Sequence, residues 1–331
     1  MHFHRVKRRE LITLLGGAAA WPVAVRAQQQ TTPVVGFLNS TSPGPWTRFV
    51  DAFRGGLKSQ GFAEGQNVAI EFRWAEGRYD RLPALAADLV ARQVAVLVAT
   101  GGTMTTLAAK AATTKIPIVF TIGGDPVELG IVESLNRPGG NITGVNIFTS
   151  EMNAKRLGLL HEMVPTASLI AALINSKNPT AQTFLKELPE AASSVAQRIH
   201  ILTATTEREL DAAFKSMTDL GAGALLVAAD PFFNSRRAYI VALAARHGMP
   251  AMYEQREFAL AGGLMSYGTN LSHGYRQAGI YVGRILKGEK PADLPVVQST
   301  EFEFVINLNA AKALGLEVPP GLSARADEVI E

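Results

Sequence analysis

An apolar run that closes on Asn-Ser-x-x-Pro occurs twice in this chain. Val34–Leu38 leads into Asn39-Ser40-Thr41-Ser42-Pro43, and Ile170–Ile174 leads into Asn175-Ser176-Lys177-Asn178-Pro179. A short uninterrupted apolar run reads as a strand buried on both faces, hence as a parallel strand. The polar stretch after it reads as the loop into a helix. Meeting this unit twice, 136 residues apart, predicts two α/β lobes that each begin afresh. Parallel strands of one sheet point their carboxyl ends the same way, and open α/β sheets bind ligands in the loops at that edge. Two such edges facing each other would enclose a cleft. Asn-Ser-x-x-Pro is also common loop chemistry, so the echo needs support from the pattern around it.

That pattern alternates. Strand candidates are Val34–Leu38, Val68–Phe72, Val94–Ala99, Ile116–Thr121 and Ile142–Ile147, with helical periodicity near Trp46–Gln60, Tyr79–Arg92, Thr105–Ala112 and Pro126–Leu135. A second series opens with a helix over Ser150–Val164. It continues with strands at Leu169–Ile174, Ile199–Thr203, Ala224–Ala229, Ala251–Tyr253 and Leu264–Tyr267. Its helices lie at Thr180–Arg198, Thr206–Leu220, Phe233–His247 and Asn270–Leu286. Strand, helix, strand in this rhythm means parallel sheets with right-handed crossovers. The expected class is α/β, with two Rossmann-like, doubly wound lobes joined by a hinge. The expected division is 34–145 plus about 270–300 for the first lobe and 146–269 for the second, with 301–331 crossing or packing on the lobes.

The first 27 residues stand apart. Arg5, Lys7, Arg8 and Arg9 precede a weak apolar stretch from Leu11 to Ala20, and Val25-Arg26-Ala27 comes before a Gln run. This is the layout of a bacterial export signal cut after Ala27, and the paired Arg8-Arg9 gives it the twin-arginine type. Residues 28–33 then form a linker. Those 27 residues hold five of the 32 Lys+Arg and one of the 29 Asp+Glu, which leaves 27 against 28. The basic charge thus belongs to the leader, and nucleic acid loses its main electrostatic support as a partner. With no cysteine in the chain, disulfides, thiolate metal sites and cysteine nucleophiles are excluded. No later stretch approaches 18 apolar residues, so a soluble periplasmic protein is expected.

Familiar catalytic signatures fail on inspection. His161-Glu162 starts like a zinc-protease helix, but Pro165 occupies the place of the second His. Neither a nucleophile elbow nor a Walker or dinucleotide loop occurs. What remains are polar, Gly-rich loops at strand ends: Thr100-Gly101-Gly102-Thr103, Gly123-Gly124-Asp125-Pro126, Ala229-Asp230-Pro231-Phe232 and Tyr267-Gly268-Thr269-Asn270. Glycine there lets backbone amides approach a ligand, and a helix N-terminus favours an anion. Asp125 and Asp230 either cap the helix that follows or touch ligand. Trp46, Tyr253 and Tyr267 either line the cleft or pack in the core.

Several longer stretches carry a family resemblance. They include Pro117–Phe120 through Gly124–Val127, Leu135–Val145 with its Asn-Arg-Pro-Gly-Gly-Asn, Gly262–Gly268, Gly283–Pro295, and Phe304–Leu308 with Ala313–Leu316. Together with the export signal and the two lobes, they resemble the periplasmic substrate-binding proteins of ABC transporters, in the tryptophan/tyrosine-type branch. The resemblance implies a type I periplasmic-binding-protein fold, capture of a small molecule between the lobes, and delivery to a membrane permease. It implies no cofactor, no catalytic residue and no metal, and a monomer. It places ligand contacts at Ser40, Thr41, Gly101, Gly102, Thr103, Gly124 and Asp125 in the first lobe, and at Asp230, Phe232 and the Tyr253 region in the second. One position departs: where amino-acid binders of the family often have Asp after Gly-Val, this chain has Asn146. A neutral amide pairs less well with an ammonium, which favours an aromatic or aliphatic acid without an amine. The competing class is a periplasmic two-domain enzyme with an unrecognised active site. A ligand-sensing regulator shares the architecture but carries a DNA-binding helix-turn-helix where this chain has its leader.

Overall fold

The computed structural model describes residues 32–147 and 152–331. The leader and most of the linker lie outside the described residues, as do 148–151, where the helix after β5 was expected to begin. Strands numbered in chain order are β1 (Val34–Asn39), β2 (Ala69–Trp74), β3 (Val96–Thr100), β4 (Ile118–Ile122), β5 (Ile142–Asn146), β6 (Leu169–Ile174), β7 (Arg198–Thr203), β8 (Ala224–Val227), β9 (Ala251–Tyr253), β10 (Met265–Thr269), β11 (Val297–Gln298), β12 (Phe302–Asn307) and β13 (Glu328–Ile330). They form two sheets, ordered β11-β5-β4-β3-β1-β2 and β13-β12-β10-β9-β8-β6-β7. The first is parallel throughout. In the second, β12 runs antiparallel to β10 and carries β13 beside it.

The apolar runs follow from burial on both faces. In β1, Val35 and Phe37 belong to one core cluster, while Leu38 belongs to the cluster on the opposite face. In β6, Ile170, Ala172 and Ile174 face one core, and Ala171 and Leu173 the other. Each sheet is therefore a middle layer between helices, and full burial of each large aliphatic side chain contributes about 1.5–3 kcal/mol. The Pro43–Ser59 and Leu271–Leu286 helices cross on one face of the first sheet, burying Trp46, Phe49, Phe53 and Tyr275.

The chain passes between the sheets after Ile147, at 270 and at 299–301. These passages are tied together. Thr269 Oγ1 donates to the Ile147 carbonyl at 2.5 Å, Asn270 N to the Glu301 carbonyl at 3.0 Å, and Ser299 N to the Asn146 carbonyl at 2.9 Å.

Three expected helices differ. Pro126–Leu135 is not a helix. Leu129 N reaches the Asp125 carbonyl for a single turn, but Gly130 then takes φ 62° and Glu133 N closes onto the Pro138 carbonyl. The helix expected to reach Arg198 ends at Ser194, because Ala196 turns with φ 52° and Arg198 already pairs in β7. The Phe233–His247 helix is two pieces, Pro231–Ser235 and Arg237–Arg246, broken at Arg236.

Candidate functional site

The repeated Asn-Ser unit performs the same task in both lobes. At the end of β1, Asn39 Oδ1 accepts from Thr41 N at 2.8 Å, and its Nδ2 donates to Thr100 Oγ1 at 2.9 Å. After β6, Asn175 Oδ1 accepts from Lys177 N at 3.0 Å, and its Nδ2 donates to Asp230 Oδ1, also at 3.0 Å. Each asparagine turns its own loop and binds it to the loop two strands away in sequence. The strand ends thus become one rigid rim on each lobe.

Between the rims lies a cleft to which both lobes contribute. Lobe 1 contributes Trp46, Gly101, Gly102, Thr103, Thr121, Gly123, Leu271 and Tyr275, with Ile147 at the crossover. Lobe 2 contributes Asn178, Thr180, Ala229, Asp230, Pro231, Asn234, Glu254 and Gln255. The apolar side is fixed by one bond: Trp46 Nε1 donates to Tyr275 Oη at 2.6 Å. Burial pushes the Tyr275 phenol above its ordinary pKa, against hydrogen bonds from Trp46, Thr100, Thr121 and Asn39.

Gly101 and Gly102 shape the polar side of lobe 1. Both have positive φ (78° and 107°), and a Cβ on Gly101 would lie 2.5 Å from Asn39 Oδ1. Only glycine fits that turn without strain. The turn delivers the start of the Thr103–Ala112 helix to the cleft with no side-chain cap. Its first amides keep their partial positive charge. The equivalent helix of lobe 2 is already capped: Asp230 Oδ1 accepts from Phe232 N at 2.8 Å and Phe233 N at 3.2 Å. The other oxygen of Asp230 accepts from Asn178 Nδ2 at 2.8 Å and from Tyr79 Oη of lobe 1 at 3.4 Å. Burial raises the Asp230 pKa, and these amide hydrogen bonds work against it.

The residues expected at the site fall into three groups. Gly101, Gly102, Thr103 and Asp230 line the cleft. Ser40, Thr41, Gly124 and Asn146 are buried beside it. Ser40 Oγ donates to the Gly101 carbonyl, Thr41 Oγ1 to Asn39 Oδ1, and Gly124 packs against Thr180 across the lobes. Asn146 ends β5, next to Ile147. The remaining four point elsewhere. Asp125 is exposed and caps its own turn, accepting from Val127 N at 2.7 Å. Phe232 sits in the lobe 2 core beside Phe233. Tyr253 stacks on Phe258, with its ring running back to Gly263 and a second cavity. Tyr267 packs against Phe302 and Phe304.

Asn178, Thr180, Asn234, Glu254, Gln255 and Tyr275 line the cleft without having been expected there. Asn178 lies inside the repeated unit, and Glu254 directly follows the Tyr253 strand end. Alternation along a strand sends neighbours to opposite faces, so Tyr253 in the core was itself the signal for Glu254.

Three polar atoms of this lining are buried without a hydrogen-bond partner: Thr103 Oγ1, Asn234 Oδ1 and Gln255 Oε1. Native interiors rarely leave such groups unmatched, so each points to a partner the protein does not itself supply. Arg156, fully buried, donates through Nε to the Tyr267 carbonyl at 2.7 Å, and desolvation lowers its pKa to about 10.

Comparison with known proteins agrees with this geometry. The family described as ABC transporter substrate binding protein matches over residues 42–330. The tyrosine-binding protein of Clostridioides difficile (strain R20291) is 26% identical over 261 residues, 79% of this chain and 74% of that protein. An ABC domain from Streptococcus pneumonia, in complex with L-Trp, aligns with a TM-score of 0.82 at 24% identity, covering 91% of this chain and 100% of that one. The ligand-free, open structure of CD0873, a substrate binding protein with adhesive properties from Clostridium difficile, aligns with a TM-score of 0.64 at 25% identity, covering 90% and 99%. These lobes have the type I periplasmic-binding-protein arrangement, and the chain belongs to the ABC transporter substrate-binding protein family.

Proposed function

We propose that this chain is an exported solute receptor that closes its lobes on a small aromatic molecule bearing a carboxylate, and hands it to an ABC permease. The observation that carries the reading is the set of unpartnered polar atoms, Thr103 Oγ1 from one lobe and Asn234 Oδ1 and Gln255 Oε1 from the other, around one cleft. The uncapped N-terminus of the Thr103–Ala112 helix, with the Thr103 hydroxyl, suits a carboxylate. Trp46, Tyr275 and Leu271 offer a flat apolar wall to a ring. The named ligands of two relatives, tyrosine and L-Trp, support an aromatic acid. The higher TM-score with the L-Trp complex than with the ligand-free open structure supports a closed arrangement here.

Export by the twin-arginine route to the periplasm, with a mature start at Gln28, belongs to the same reading and rests on Arg8-Arg9 and Val25-Arg26-Ala27. Native mass spectrometry of protein from the periplasm tests both parts together. A chain beginning at Gln28 with one small carboxylic acid bound is expected. Thr103→Val should weaken retention by about 1.5–3 kcal/mol, the range for a hydrogen bond to a charged group. A chain retaining residues 1–27 would remove the export proposal. A Thr103→Val protein that keeps the molecule as tightly as wild type would remove the carboxylate site.

A further inference from the structure

We propose that lobe 2 holds a second small-molecule site, outside the cleft, for an uncharged ring that carries one hydrogen-bond acceptor. A cavity of about 220 Å³ opens between the Arg237–Arg246 helix, the turn into β10 and the Leu308–Ala313 helix. It shares no lining residue with the cleft. The cavity lies on the seam between the two cores of lobe 2: Val241, Met249 and Tyr253 belong to one core, and Leu264 to the other. Small residues leave the seam unfilled, with Gly262 and Gly263 at the turn and Ala244 and Ala310 on the helices.

Apolar space alone does not name an occupant; the Tyr253 hydroxyl does. Tyr253 is fully buried, yet its Oη has no hydrogen-bond partner among the described residues. Stacking on Phe258, with ring centroids 4.5 Å apart, fixes the plane of the ring. Its far edge runs to Gly263, where a Cβ would stand 2.6 Å from Cε2. The hydroxyl is thus held at the cavity wall, and native interiors rarely leave such a group unmatched. Burial pushes the phenol above its ordinary pKa, so at neutral pH it is an O–H donor rather than a phenolate. Among the described residues, the lining has no charged or amide side chain, so an ion entering it would shed its water with nothing in exchange. That excludes the carboxylate class proposed for the cleft and leaves a neutral molecule whose acceptor meets Oη. Size narrows the class further. An apolar cavity of about 150 Å³ holds benzene, so this one suits a single ring with a short substituent.

Methyl NMR on protein labelled at methionine tests the site, with the Met249 methyl as local reporter and acetophenone and ethylbenzene as probes. The two probes share a shape, and acetophenone alone carries an acceptor. Both should shift the Met249 signal in wild type. Tyr253→Phe keeps the ring and loses the oxygen, and the hydration of the free probes is the same for both proteins. The variant should therefore weaken acetophenone by about three- to tenfold, the worth of one neutral hydrogen bond, and change ethylbenzene by less than about twofold. Ala310→Leu fills the cavity and should abolish the shift by both probes, with thermal melts confirming that each variant is folded. An equal change for both probes in Tyr253→Phe would overturn the role of the hydroxyl and the site built on it. So would the absence of a Met249 shift in wild type saturated with either probe, or a shift that persists in Ala310→Leu. None of these outcomes bears on the cleft, whose own test is retention of a carboxylic acid.

Discussion

At the scale of single residues, Asp230 shows how one side chain serves fold and cleft together. It caps the Pro231–Ser235 helix, anchors Asn175 and Asn178, and reaches Tyr79 in the other lobe. Its oxygens are filled by protein donors, so its service to a ligand is to hold the rim in place. Asp230→Ala strips these donors of their acceptor and should lower stability by about 2–4 kcal/mol in urea denaturation, more than the loss of an ordinary cap. The effect should depend on pH. Burial raises the folded-state pKa of Asp230 above 3.8, so folding favours the protonated form. The resulting penalty is absent below the unfolded value and grows as pH rises through the raised one. The gap between wild type and Asp230→Ala should therefore narrow from about pH 4 to pH 7. A gap that widens over that range would contradict the assignment.

At the scale of elements, the aromatic wall of the cleft depends on one helix crossing. The Pro43–Ser59 helix carries Trp46 and the Leu271–Leu286 helix carries Tyr275. They approach so closely that a Cβ on Gly279 would lie 2.1 Å from the Phe53 carbonyl oxygen, and one on Gly56 would lie 1.9 Å from that of Arg276. The clash is with backbone, which cannot rotate aside. Gly279→Ala should cost about 1–3 kcal/mol or more and lower the melting temperature, whereas Gly158→Ala, facing open space, should not. Equal melting temperatures would show that the crossing has slack. None of this is written locally: the two helices are legible from their periodicity, but their pairing joins residues 229 apart in sequence. The same distinction separates the rest. Buried strands and the repeated Asn-Ser loops were readable because their signals are short-range. The Pro126–Leu135 stretch reads as a helix because Asp125-Pro126 begins one, and Gly130 stops it after one turn. Gly101–Thr103 and Asp230 could be found from the rule that loops at strand ends bind ligands. Glu254 could be found only once alternation had sent Tyr253 into the core.

At the scale of the whole molecule, the lobes meet through contacts across the cleft. Arg48 of lobe 1 pairs with Glu257 of lobe 2 at 3.1 Å, Arg237 of lobe 2 donates to the Pro45 carbonyl at 3.3 Å, and Pro231 stands 2.8 Å from where a Gly102 Cβ would be. The three tied passages near residues 147, 270 and 300 are where a hinge would turn, and a ligand held between the rims would add its own bonds to both. On the proposed function, ligand binding and lobe closure are one event, as in hinge closure generally. Small-angle X-ray scattering tests it most directly, on protein stripped of small molecules by unfolding and refolding, then saturated with whichever acid it binds in titration. A smaller radius of gyration is expected with ligand than without, and a profile with ligand that matches the arrangement of lobes described here. Identical profiles for stripped and saturated protein would contradict it.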